Sequence, residues 1–264
     1  MGHILIGGRQ LAYERSGTGF PTVFLNGSGS TMEKARPLWK TFTRVADVVA
    51  HDYRGLGCSE AGEPPTMVGF ASDARCLADS LGWEVFDVIG VSFGGMVAQE
   101  LAVAVGARCR RLVLMCTSAG GAGGSSYPLH DLLGRPVDER RRRMPELSDR
   151  RFSPEYLSAH EDVRALIEAS IEDRAPTPGE RQQMEARRGH DVADRLHLVS
   201  AETLVMSGEF DGIAPPINGR RIADRIGDSI FREYSGGHMF FIQDARALVD
   251  ATGFLVSGKE GVSS

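Results

Sequence analysis

The stretch DVIGVSFGGMVAQELA, residues 87–102, sets a β-branched run directly against a helical pattern. The junction is Gly90-Val91-Ser92-Phe93-Gly94, followed by Gly95. It matches G-x-S-x-G, a motif whose meaning depends on a strand before it and a helix after it. So sharp a turn strains the backbone of its central residue, and flanking glycines remove the β-carbons that would collide. The Ser92 hydroxyl then stands clear of the sheet, near the positive end of the following helix. A glycine-rich turn with an ordinary serine is the bland alternative. The strand and helix on either side favour a nucleophile.

The segments around this corner alternate in the same way. HILI and LAYERS read as an opening hairpin turned by Gly7-Gly8. PTVFLNGSGS reads as a strand entering a Gly/Ser loop, ARPLWKTFTRVAD as a helix, and DVVAHDYRGLG as a strand ending in a turn. MVGFASDARCLADSLG places Phe70, Ala74, Leu77 and Leu81 on one helical face. The strand VFDVIGV, the helix GGMVAQELAVAV and the strand RLVLMC follow. Apolar strands separated by helices predict an α/β fold, with a parallel sheet covered on both faces.

The alternation stops near Ser118, where SAGGAGGSS forms a flexible connector. From Tyr127 to about Val199 the pattern is helical and charged, with EDVRALIEASIEDR and GERQQMEARRGHDVADRL as its clearest helices. Strands return with ETLVMSG and SIFREYSG, and the helix ALVDATGFLVS leads to the tail GKEGVSS. The predicted organisation is a core of residues 1–118 and 200–264, interrupted by a helical cap over 119–199. The basic run DERRRRMPELSDRR has acidic residues on both sides and reads as a solvated helix face.

A nucleophilic serine needs a base, and the base needs a group to orient it. His130, His160, His190 and His197 all fall in the helical segment or its exit. His238, in YSGGHMFF, follows the last strand in a glycine-rich loop, where open α/β sheets place their active groups. It is the expected base, with His190 as the main competitor. TLVMSGEFDGIAPP offers Glu209 and Asp211 as the orienting acid. Asp211 is favoured, because a short side chain in the turn between Gly208 and Pro215 suits one fixed hydrogen bond. Developing oxyanion charge needs preset donors. The backbone N–H groups of Phe93 and Ser28 are expected to supply them, leaving both side chains to vary. The same loop, Gly27-Ser28-Gly29, resembles part of a dinucleotide fingerprint, but Met32 stands where its third glycine belongs.

Composition narrows the classes further. With 264 residues the chain can form one large domain. A net charge of −5 gives no reason to expect a nucleic-acid partner. No apolar run approaches the ~18 residues of a membrane span. MGHILIGGRQ lacks the pattern of a signal peptide. Cys58, Cys76, Cys109 and Cys116 lack metal-ligand spacing, so a reduced, cytoplasmic protein without metal or organic cofactor is expected.

LNGSGS, DYRGLGCS, GVSFGG, GEFDGIAPP and GGHMFF, in this order, resemble the α/β-hydrolase superfamily. The resemblance implies a mostly parallel eight-stranded sheet with helices on both faces, a triad of Ser92, Asp211 and His238, and a lid. DYRGLGCS resembles the family's D-x-R-G-x-G-x-S, a stretch that shapes the loop beside the site. Within the superfamily the chain is most similar to the 3-oxoadipate enol-lactonase-like group, which tends to carry Asn at the position of Asn26. It departs from that group at Gly27-Ser28-Gly29 and at Phe93. The resemblance implies a small ester or lactone as substrate. Asn26, Met239 and Phe240 are candidate pocket residues, though the last two fit the core equally. Carbon–carbon hydrolysis, cofactor-free perhydrolysis of the haloperoxidase type, a ligand-binding role or non-hydrolytic tailoring chemistry on the same fold are the alternatives. A monomer or homodimer is expected, with no nucleic acid or membrane as partner. A cationic cavity above Ser92 would favour an acidic substrate, and an apolar one a hydrophobic ester.

Overall fold

The computed structural model describes residues 1–170 and 174–262. Its strands are β1 (Gly2–Ile6), β2 (Arg9–Ser16), β3 (Phe20–Leu25), β4 (Ala46–His51), β5 (Phe86–Val91), β6 (Cys109–Met115), β7 (Glu202–Gly208) and β8 (Ser229–Tyr234). They form one sheet in the order β1-β2-β4-β3-β5-β6-β7-β8. β2 pairs antiparallel with β1 and with β4, and every other neighbouring pair is parallel. This is the predicted eight-stranded, mostly parallel sheet.

The helices are α1 (Arg36–Phe42), α2 (Met67–Ser80), α3 (Phe93–Val105), α4 (Leu129–Leu133), α5 (Val137–Ser148), α6 (Pro154–Ala159), α7 (Glu161–Ser170), α8 (Pro178–Arg188), α9 (Pro216–Ala223), α10 (Phe240–Gln243) and α11 (Ala245–Ser257). The strand period of two divides the core between the faces. Val23, Leu25, Val88, Leu112 and Leu114 pack with residues of α2 and α3. Phe24, Ile89, Val113 and Met115 pack with residues of α1 and α11 on the other side. Every residue of β5 is buried, as a central parallel strand requires.

The first helix is shorter than its sequence pattern. It stops at Phe42, because Ala46 and Asp47 pair with Phe20 and Pro21 as the start of β4. The expected helix over EDVRALIEASIEDR runs through Glu161–Ser170, and its continuation over 171–173 lies outside the described residues. The last two residues of the tail also lie outside them.

Helices α4 to α8 fall between β6 and β7 and contribute no sheet strand among the described residues. They lie over the carboxyl ends of the strands. Gly212 N–H donates to Leu147 O at 3.0 Å, His238 N–H to Ser148 O at 2.6 Å, and Arg150 N–H to Phe210 O at 2.9 Å. The segment leaves and rejoins the sheet at one place, where Gly120 and Asp191 form an isolated antiparallel bridge. Val192 N–H donates to Ala119 O at 2.9 Å beside it. Ala119, Val192, Ala193, Leu196 and Val199 pack into the α2/α3-side core. No described helix is long and apolar enough to cross a membrane.

Candidate active site

Ser92 sits at the tip of the corner between β5 and α3 with φ 54° and ψ −113°. A non-glycine residue held there costs on the order of 1–3 kcal/mol, which the surroundings must offset. Ser92 N–H donates to Met115 O at 2.8 Å. Its carbonyl accepts from Gly95 N–H at 2.9 Å and Met96 N–H at 3.2 Å. Thr117 Oγ1 donates to the same carbonyl at 2.8 Å. The glycines of the motif are places of close approach. A β-carbon on Gly94 would meet Leu25 O at 2.1 Å, one on Gly90 the Gly94 O at 2.5 Å, and one on Gly95 the Thr117 side chain at 2.6 Å. A second strained residue lies next door. Cys116, which follows β6, has φ 44° and is wholly buried. Burial, together with the nearby Asp211 carboxylate, pushes its thiol pKa up and keeps it neutral.

The predicted partners of Ser92 come together across the sheet. His238 Nε2 lies 2.9 Å from Ser92 Oγ, and His238 Nδ1 lies 2.8 Å from Asp211 Oδ2. Asp211 is fully buried. Its Oδ1 accepts from Ile213 N–H at 2.7 Å and Ala214 N–H at 2.8 Å, so one oxygen is locked by the turn and the other is left for the ring. The loop bearing His238 is held by Gly237 N–H donating to Gln243 Oε1 at 2.8 Å. The competitors stand elsewhere. Glu209 is exposed. His190 is buried with Nδ1 3.9 Å from Glu100, whose carboxylate is paired in bidentate fashion with Arg195. Burial lowers the His190 pKa to about 4, so its ring is neutral at pH 7.

The N–H groups of Phe93 and Ser28 have no acceptor among the described residues. Phe93 N–H belongs to the first turn of α3, where no intrahelical acceptor exists. Its side chain is not open to variation. The ring is fully buried, edge-on to Tyr53 at 5.4 Å and Phe70 at 5.4 Å. Ser28 lies in the loop after β3, where the Cβ position of Gly27 comes within 3.9 Å of Ser92 Cβ. Ser30 N–H donates to Gly27 O at 3.3 Å, and Gly29 has φ 64°, the pattern of a type II turn. The dinucleotide resemblance fails here. α1 begins only at Arg36, so no helix N-terminus opens on these glycines.

Asn26 is a fastener of this loop and does not line the cavity. Its Nδ2 donates to His51 O at 3.2 Å, and its carbonyl accepts from Tyr53 Oη at 3.1 Å. Asp52 holds the loop's far end, accepting from Met32 N–H at 2.7 Å and Cys58 N–H at 2.9 Å. Arg54 forms a bidentate pair with the buried Asp73. Phe240 is core: it is fully buried and stacked on Tyr234 at 5.3 Å. Met239 points outward at 45% exposure, because it caps the short helix α10. Neither lines the cavity.

A cavity of about 390 Å³ lies between the Ser28–Ser30 loop and the helices above it. Leu129, Leu132, Met144, Ile167 and Met184 give it apolar walls. Arg140, Met144 and Ser148 line it from one stripe of α5, spaced four residues apart. Lys34, Arg174 and Glu180 also border it, and Arg174 grips Glu180 at 2.7 and 2.8 Å. Arg140 therefore departs from the solvated face expected of the basic run. It is half-buried, its Nη2 donates to Arg174 O at 3.0 Å, and its buried Nε has no partner among the described residues. Arg142 and Arg143, in the same run, are exposed. Among the described residues no group of three or more His, Cys, Asp or Glu is placed to hold a metal ion.

The Alpha/beta hydrolase family model matches residues 22–251. A poly(3-hydroxyalkanoate) depolymerase of Ectopseudomonas oleovorans is 30% identical over 231 residues, covering 86% of this chain and 81% of its own. A 2-hydroxymuconate semialdehyde hydrolase of Pseudomonas sp. (strain CF600) is 27% identical over 266 residues, covering 95% and 91%. Among solved structures, the enol-lactonase from Burkholderia xenovorans LB400 shares the fold with a TM-score of 0.77 at 22% identity, over 97% of this chain and 99% of that one.

Proposed function

Since the chain belongs to the α/β-hydrolase family, we propose that it is a serine hydrolase of small carboxylic esters or lactones. The observation that carries this reading is the unbroken line from Ser92 Oγ through the two His238 ring nitrogens to Asp211 Oδ2. Ser92 attacks the carbonyl carbon while His238 Nε2 takes its proton. Asp211 fixes the ring with Nδ1 protonated and stabilises the imidazolium. The carbonyl oxygen, now anionic, is received by the N–H groups of Phe93 and Ser28. His238 returns the proton to the leaving alkoxide, and a water deprotonated by His238 then releases the acid from Ser92.

The adjoining cavity, which Ser28 lines and Ser92 and His238 do not, supports a substrate with an apolar body and an anionic end. Its aliphatic walls suit a hydrocarbon chain, and Arg140 has no carboxylate partner among the described residues. The Arg174–Glu180 pair is neutral as a unit.

A panel of an ester, a lactone and a vinylogous diketone, each with and without a carboxylate, tests the reading in one experiment. Turnover of the first two, abolished in Ser92→Ala, is the expected result. Full ester or lactone turnover in Ser92→Ala would refute the assignment. Carbon–carbon hydrolysis on the same three residues is the second reading, and preferential turnover of the diketone would select it.

A further inference from the structure

A polar side chain of the helical segment hydrogen-bonds to the oxyanion loop. Gly29 N–H donates to Gln183 Oε1 at 2.8 Å, across 154 positions of sequence. Gln183 is fully buried on α8, and its Nε2 has no partner among the described residues. Burying this amide with one side unpaired is a cost, offset in part by the bond that satisfies the Gly29 N–H.

α8 is itself held rigidly. Thr177 Oγ1 accepts from Glu180 N–H at 3.2 Å and Glu180 Oε2 accepts from Thr177 N–H at 2.7 Å, a complete capping box. The first turn lies flat on the loop after β4, where a β-carbon on Gly179 would meet Gly55 O at 2.2 Å. The Cβ position of Gly29 comes within 3.4 Å of Glu180 Oε1 in turn. Gln183 Oε1 is thus a fixed acceptor beside a turn whose central peptide plane, between Ser28 and Gly29, is the one that rotates when type I and type II turns interconvert.

We infer that Gln183 is a positioning residue: from the docked α8 it fixes the Ser28–Gly29 peptide, and so holds the turn from which the preceding Ser28 N–H meets the tetrahedral intermediate. The inference rests on the acyl-transfer reading above. It makes the seating of α8 part of catalysis as well as of substrate enclosure. Gln183 does not touch the reacting atoms. It acts through Gly29.

The test compares the wild-type protein with Gln183→Met, which keeps volume but loses the acceptor, and with Glu185→Gln on the exposed face of α8. Steady-state hydrolysis of p-nitrophenyl butyrate and the affinity of butylboronic acid, which forms a tetrahedral adduct on Ser92, are measured together with thermal melting. In Gln183→Met, kcat and boronate affinity are expected to fall in parallel by about 10-fold or more while KM stays within about 2-fold. Glu185→Gln should match the wild type. If Gln183→Met fails to fold, Gln183→Asn, one methylene too short to reach Gly29, must show the same parallel loss. A loss confined to KM, or unchanged boronate affinity in a folded variant, overturns the inference and leaves the hydrolase reading intact. A wild-type protein that neither binds the boronate nor reacts with a fluorophosphonate at Ser92 overturns both.

Discussion

Thr117 Oγ1 donates to the carbonyl of Ser92 at 2.8 Å, tying the segment after β6 to one of the two non-glycine residues with positive φ among the described residues. Thr117 is buried, and its side chain also fills the space that a β-carbon on Gly95 would need. Thr117→Val keeps the shape and removes the donor. The variant should lose about 1 kcal/mol of stability. Its kcat should fall by roughly 10-fold as Ser92 relaxes. Thermal melting and steady-state kinetics read the two effects separately, and an unchanged kcat would show that the backbone bonds alone suffice.

Asp211→Asn tests the orienting role apart from packing. The amide can still accept from Ile213 and Ala214, but it presents an N–H where His238 Nδ1 needs an acceptor. The ring is then held with its proton on the wrong nitrogen, and kcat should drop by about 10⁴-fold. The rate of fluorophosphonate labelling at Ser92 should fall with it. Retention of labelling would argue for Glu209 or another acid.

Arg140→Gln separates charge from shape in the cavity. For a substrate ending in a carboxylate, kcat/KM should fall by about 10- to 100-fold, the worth of a charged hydrogen bond. The neutral ester of equal length should change little. Equal losses on both would place Arg140 in cap packing.

Stability should depend on pH through His51. Its ring is fully buried, edge-on to Tyr53 at 5.2 Å, and burial lowers its pKa to about 4. The folded pKa lies below the unfolded value of roughly 6.5, so the unfolded chain binds the proton first. The contribution is therefore present above pH ~6.5 and is lost as pH falls toward ~4, reaching roughly 3 kcal/mol for this one group. His190, also lowered to about 4 by burial, adds to the same window. His51→Leu should flatten the melting temperature between those limits. An unchanged slope would assign it to other groups.

The sheet and the line from Ser92 to Asp211 were legible because their signals are local. A glycine-flanked serine, a Gly-Gly-His after the last strand and an aspartate in a turn each announce a backbone geometry within a few residues. What escaped depends on contacts across the chain. Thr117, Gln183 and Arg140 are ordinary in their own neighbourhoods. Arg140 was hidden in a run of four arginines, although its spacing with Met144 and Ser148 marks one stripe of α5. Phe240 and Met239 show the limit of proximity in sequence, since the residues after His238 turn into the core and the solvent and leave the cavity to a distant helix.

The bridge between Gly120 and Asp191 gives the helices above the sheet a narrow neck. A β-carbon on Gly120 would meet His190 O at 1.9 Å, so the two strands of the neck run in close contact. Everything between them is, to the sheet, a single loop whose ends are already closed. Lengthening or replacing such a loop costs little closure entropy. The strands can keep their register and the serine its corner while the roof is exchanged whole. Chemistry and appetite are therefore separately heritable in this architecture. The exceptions are the acceptors that the roof lends to the sheet's loops, Leu147 O for Gly212, Ser148 O for His238 and Gln183 Oε1 for Gly29, which a new roof must replace.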